Sequence, residues 1–481
     1  MKFVNLIKSF PRTYWMANTM ELFERWAYYG MFAVLALYLT GSKETGALGF
    51  TQIQKGHLMG TVTFILYFLP IITGAIADKF GYKKVLLIAY IILSSGYYLM
   101  GQVESYSMVF VVFLFVAIGA ALFKPVISAT IARNTNNTNS SVGFGIFYMI
   151  VNIGAFIGQV FASKLRENNW NYVFVMSSGI ILINLFLLIF YKEPKREKNT
   201  DSYFNLILNV FKNIATVLKD LKFVLFLLII VGFWTMYWQL FFTLPTFIEQ
   251  WIDTSIIYNN LASLSPTLAS KIGNADGGIS PEMLINIDTL YIIMFQILVS
   301  TVVMKLKPLN AMITGIFVCS LGLALWFVTQ NGMYLFLSLM IFSFGEMASS
   351  PKISEYIGRI APEGKTALYM GTSFLPLAGG NFFAGILSGD VYTKISDKIY
   401  LLKLEVAKRG IEIPEISDQF TQTDYINMAA NKMGMNTHQL THFLWNTYNP
   451  SHIWMVFSAI GVFTGLMLIL YDKFLLKSKN N

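Results

Sequence analysis

The chain is 481 residues long, 55% apolar, 16% aromatic and only 13% charged. Soluble globular chains run about 45–50% apolar and about 25% charged, so an ordinary soluble domain and a disordered chain are both excluded. The net charge of +9 is dispersed between apolar runs, which reads as membrane orientation and not as a nucleic-acid surface, and the single cysteine, Cys319, permits no internal disulfide.

The first apolar run, 14–40, carries internal charges and lacks a small-residue cleavage site, so it is expected to stay as a helix. Further runs follow at 52–77, 84–102, 108–131, 143–163 and 171–191. After an interruption they resume at 223–247, 285–305, 309–329, 333–358, 366–388 and 452–476. Runs of about 20 residues span a bilayer, so this is an all-α polytopic membrane protein with two sets of six spans. The expected divisions are a first bundle over 1–191, a linker over 192–222 and a second bundle over 223–481 that includes a long loop, 389–451. In the linker, a charged stretch precedes Phe204, Leu208, Phe211, Ile214, Leu218 and Phe223. Their helical spacing predicts an amphipathic helix on the membrane surface.

Loop charges predict the orientation. Lys79, Lys83, Lys84, Arg133, Lys305, Lys307, Arg359 and Lys365 fall in even-to-odd connections, and Lys192, Lys195, Arg196 and Lys198 in the linker. Lys2, Lys8, Arg12, Lys473, Lys477 and Lys479 at the two ends agree with them. The positive-inside rule then puts both termini in the cytoplasm and loop 389–451 outside. Six plus six spans around a central linker resemble the major facilitator superfamily, in which substrate binds midway between the halves. GAIADKFGYKK, Gly74 to Lys84, resembles that superfamily's loop signature through Gly74, Asp78, Lys79 and Gly81. Gly74 is expected to allow close helix approach, and Asp78 to cap or pair at a helix end.

Five charges fall deep inside the runs, near the bilayer centre: Glu21, Glu24 and Arg25 in the first, Lys124 in the fourth and Glu346 in the tenth. Glu21, Glu24 and Arg25 share one helical face. Each charge near the bilayer centre costs about 2.5–3.5 kcal/mol, so five unpaired ones would cost on the order of 12–17 kcal/mol. They are therefore expected to share a polar cavity. One carboxylate exceeds the cations, and that excess is where a proton binds most easily.

ELFERWAYYG, beginning at Glu21, resembles the E-x-x-E-R-F-x-Y-Y-G motif of the proton-dependent oligopeptide transporter family. Further resemblances are Tyr67 to Pro70, Phe123-Lys124-Pro125, FGIFYMIVNIGAFIG with Tyr148 and Asn152, EMASSP with Glu346 and Ser350, and GGNFFAG from Gly379. The resemblance implies proton coupling by Glu21, Glu24, Arg25, Lys124 and Glu346. It implies a pocket lined by Tyr28, Tyr29, Tyr67, Lys124, Tyr148, Asn152, Trp234, Glu346 and Ser350. Lys124 would exchange between a motif glutamate and the substrate carboxylate, and Glu346 would pair with a peptide's amino end or with Lys124. Phe32, Trp238 and Ser373 depart from the family, the first two standing where it often keeps a cross-domain ion pair.

The implied function is import of di- or tripeptides with protons across an inner membrane, with no cofactor, no enzyme activity, no nucleic-acid partner and a monomeric chain. The alternatives are a divergent carrier of another small carboxylated or zwitterionic solute, or a non-transporting receptor or scaffold. His438 and His442, four apart in the long loop, have no evident third ligand, so no metal site is expected.

Overall fold

Hydrocarbon offers no partner to a backbone N–H or C=O, so a segment that spans it must be a helix or part of a closed barrel. The computed structural model describes residues 7–136, 139–194, 203–274, 277–327, 329–362 and 365–476, and contains no strand among them. Lys2, Lys195, Arg196, Lys198, Lys477 and Lys479 lie outside the described residues.

The first half comprises α1 (Arg12–Thr40), α2 (Gln52–Phe68), α3 (Pro70–Phe80), α4 (Tyr82–Met100), α5 (Tyr106–Arg133), α6 (Ser140–Arg166) and α7 (Trp170–Leu187). A surface helix, α8 (Tyr203–Val217), follows it and packs against α3. The second half begins with α9 (Leu221–Tyr237), α10 (Gln239–Phe242), α11 (Leu244–Trp251), α12 (Ser255–Leu264) and α13 (Pro266–Ile272). It continues with α14 (Pro281–Val303), α15 (Pro308–Ala324), α16 (Met333–Ile360), α17 (Thr366–Gly371), α18 (Phe374–Ile386) and the short α19 (Tyr392–Ile395). The long loop folds as α20 (Lys398–Lys408), α21 (Gln422–Lys432) and α22 (Thr437–Tyr448), and α23 (His452–Tyr471) closes the bundle.

Among the described residues, nine helical segments are long and apolar enough to cross a membrane, and the bent pair α2–α3 is a tenth. The other two of the twelve expected runs are α1, which carries the charged motif, and α15, which is 17 residues long. Proline accounts for two departures from straight runs. Pro70 bends α2–α3 by 42°, and Pro245 sits in the first turn of α11, just after the break that separates it from α10. Two helices, α12 and α13, fill the connection between the runs 223–247 and 285–305.

The turn after α3 depends on Gly81, at φ 102°. Asp78 accepts the Tyr82 hydroxyl at 2.9 Å and lies 3.4 Å from Arg133. The close approach expected at Gly74 is absent: a Cβ there would meet Pro125 Cβ at 3.5 Å, an ordinary contact.

The halves touch mainly at the end that carries the long loop. There α2 crosses α18 backbone to backbone, because glycines face one another. A Cβ at Gly385 would lie 2.5 Å from the Gly56 carbonyl oxygen and 2.6 Å from Gly60 Cα. On the other flank, Arg166 of α6 pairs with buried Glu282 of α14 at 2.5 Å, and Asn286 donates to the Phe156 carbonyl at 3.1 Å. Lys55, fully buried on α2, donates to the Phe242 carbonyl across the same seam at 2.9 Å. Towards the linker end, by contrast, Phe144 and Tyr148 on α6 are 43% and 37% exposed. The space between the halves is closed at the long-loop end and open at the linker end.

Gly385→Leu should therefore wedge α2 from α18. Labelling of a Gln52→Cys reporter by an impermeant maleimide should rise, against a background from the single buried native thiol of Cys319. Unchanged labelling would contradict a glycine-dependent closure.

Candidate functional site

The motif helix α1 brings three charges onto one face, all within 4% of complete burial. Arg25 Nε lies 3.3 Å from Glu21 Oε1, one turn away, and the same guanidinium bonds the adjacent Glu24. One cation thus serves two carboxylates, and its plane also lies over Tyr28 and Tyr29, 5.2 and 5.8 Å from their centroids. Lys124 Nζ sits 4.4 Å from the Tyr67 ring centroid and interacts electrostatically with Glu21, Glu24 and Arg25.

The helix that presents Lys124 runs on through Pro125, which has no N–H for the Ala121 carbonyl. Thr73 of α3 supplies the missing donor at 2.6 Å. The proline beside Lys124 is therefore tolerated because a neighbouring helix re-satisfies the freed carbonyl.

Across the interface stands a second group. Glu346 on α16 accepts the Tyr237 hydroxyl at 3.1 Å. Asp288 on α14 accepts Ser343 Oγ at 2.5 Å. Asp288 is a buried intramembrane carboxylate that the sequence reading missed, since it falls three residues inside the expected start of its run and resembles an end charge. No ion pair joins Lys124 to Glu346 among the described residues, while Tyr29 interacts electrostatically with the charges of both halves. Asp288 adds a buried negative charge to the five, and Lys55 a buried positive one.

Of the other expected pocket residues, Asn152 donates to the Tyr148 carbonyl at 2.9 Å. Trp234 is half-buried against Tyr237, with ring centroids 5.3 Å apart and planes at 87°. Ser350 is half-buried one turn beyond Glu346. Tyr29 reaches the second half through Phe241, at 6.2 Å between centroids.

Phe32 and Trp238 meet edge to face across the halves, centroids 6.0 Å apart at 86°. Tyr67, Phe241 and Phe242 extend this aromatic cluster. Packing stands where an ion pair would otherwise bridge the halves, and both partners are apolar, so no orphan charge remains. His438 and His442 line an open cleft with Trp251, Lys398 and Trp445 at the long-loop end. No group of three His, Cys, Asp or Glu side chains is placed to hold a metal among the described residues.

Residues 15–385 match the family profile described as Major Facilitator Superfamily. A dipeptide and tripeptide permease A of Citrobacter koseri is 24% identical over 453 residues, covering 83% of this chain and 88% of that protein. The corresponding permease of Cronobacter turicensis is 28% identical over 212 residues, or 43% and 41% of the two chains. Among solved structures, a POT family transporter in complex with 5-aminolevulinic acid superposes with a TM-score of 0.70 at 18% identity, covering 96% of each chain. Another, in complex with a thioalcohol-conjugated peptide, gives 0.70 at 17% identity over 97% and 99%.

Phe32→Arg alone would bury a charge beside Trp238 and should destabilise the protein by about 3–5 kcal/mol. The double variant Phe32→Arg/Trp238→Glu should recover most of that in thermal unfolding. A double variant no more stable than the single one would contradict the equivalence of the aromatic contact and an ion pair.

Proposed function

The chain belongs to the major facilitator superfamily, and on that premise we propose that it is a proton-dependent oligopeptide transporter that imports di- and tripeptides together with protons by alternating access. It is a transporter and not an enzyme. We place it in the inner membrane with both termini cytoplasmic, on the distribution of loop Lys and Arg. In that orientation the structure is closed outward and open inward.

The observation that carries the reading is the division of buried charge between the two halves. In the first half, Glu21 and Glu24 offset Arg25 and Lys124, so the cluster is neutral. A proton on either glutamate leaves it with one positive charge, which suits a substrate carboxylate. In the second half, Glu346 and Asp288 present only negative charge, which suits a substrate ammonium. A peptide carries both ends, so it bridges the halves where the interface must hinge. Binding of the carboxylate end thus requires the proton, which couples the two fluxes without a direct contact between them. Arg25 holds the two glutamates in place, Lys124 is free to turn toward substrate, and Tyr148, Asn152, Trp234 and Ser350 line the space between.

Labelled Ala-Ala should accumulate in proteoliposomes under an inward proton gradient and only equilibrate without one. Gradient-driven uptake of another solute with no dipeptide uptake would sink the peptide reading. That outcome would favour the divergent-carrier alternative, which the apolar contact of Phe32 and Trp238 also suits. Glu24→Gln should lose accumulation against a gradient while still exchanging substrate. A Glu24→Gln chain that still concentrates Ala-Ala would remove Glu24 from the coupling.

A further inference from the structure

Asp288 belongs to none of the motifs that carry the family resemblance. It is 3% exposed, on α14, and its hydrogen bond comes from Ser343 of α16. Ser343 and Glu346 are three residues apart on that helix and so share a face, which brings the two carboxylates to within about one helical turn of each other. Glu346 is 5% exposed. Its Oε1 takes the Tyr237 hydroxyl, and its Oε2 is buried without a hydrogen-bond partner among the described residues.

The titratable groups that interact electrostatically with Glu346 come from five helices. They are Tyr29 on α1, Tyr148 on α6, Tyr237 on α9, Asp288 on α14 and Cys319 on α15. None of these is a cation. Two carboxylates so placed in a medium of low dielectric constant cannot both ionise, and the protons they bind belong to the pair and not to either residue.

We propose that Asp288 and Glu346 hold one proton between them while the substrate ammonium is bound, and that the pair takes up and releases that proton together with the substrate. This deepens the symport reading and rests on it. The pair is a second coupling site, in the half opposite Glu21, Glu24 and Arg25. Its charge balance is closed: one proton leaves the pair with a single negative charge, which the ammonium matches. Without the proton, the bound ammonium would leave one buried carboxylate uncompensated. Ser343 and Tyr237 are positioning residues that hold the carboxylates in register.

The test is the number of protons carried per Ala-Ala, read from the membrane potential at which net flux reverses at a fixed peptide gradient. Asp288→Asn keeps an acceptor for Ser343 and should carry one proton fewer than the wild-type chain, whereas Asp288→Glu should carry the wild-type number. Should Asp288→Asn not fold, Glu346→Gln breaks the pair from the other side and carries the same expectation. An unchanged proton number in the neutral variant would overturn the proposal. If the wild-type chain carries no Ala-Ala, the peptide reading has failed, and the pair is then read directly by infrared spectroscopy. A protonated-carboxyl C=O stretching band at neutral pH that is lost in Asp288→Asn supports the shared proton. A band that persists there overturns it.

Discussion

The cost of a charge in hydrocarbon governs this structure. A bilayer core tolerates ionised side chains only in company, at about 2.5–3.5 kcal/mol for each one left near its centre. The chain answers by gathering them. Arg25 serves Glu21 and Glu24 together, Lys124 lies over the Tyr67 ring, and Arg166 meets Glu282 at the rim. Glu346 and Asp288 have hydroxyl donors in place of cations. On the proposed reading, that incompleteness gives the second half an affinity for positive charge, and the groups that the membrane penalises are the ones that select the substrate.

An interface that opens and closes meets the same constraint. If a buried ion pair bridged the moving halves at mid-depth, each opening would expose or orphan its charges. Here the seam beside the site is built from Phe32, Trp238, Phe241 and Phe242, and from glycine backbones on α2 and α18. Charged contacts between the halves sit at the long-loop end: Arg166 with Glu282, and the half-exposed His57 with Asp390. Lys55 lies at the same end, buried in the seam and held by the Phe242 carbonyl beside the break between α10 and α11.

Much of this was legible in the residues. Apolar runs located the spans, because length and hydropathy alone decide what crosses a bilayer. The charges of ELFERWAYYG were legible because they interrupt an otherwise apolar helix. Asp288 was not, because three residues from an expected boundary a carboxylate looks like an end group, and only the fold brings it to Ser343 and Glu346. Arg166 and Glu282 were hidden in the same way, 116 residues apart and each at the edge of its run. Pro70 and Pro245 stand at breaks that only the structure shows, and which donor would repair the carbonyl opposite Pro125 depended on where α3 packs. Gly74 was over-read, since a motif does not reveal whether a neighbouring backbone comes close.

The coupling of proton and peptide movement is tested most directly inside the vesicle. Proteoliposomes loaded with a pH-sensitive dye, with no imposed proton gradient, are given Ala-Ala on the side from which the chain takes it up. The account predicts that the interior acidifies as the peptide enters, at a rate that follows peptide uptake. Entry of labelled Ala-Ala with no change in interior pH would contradict it.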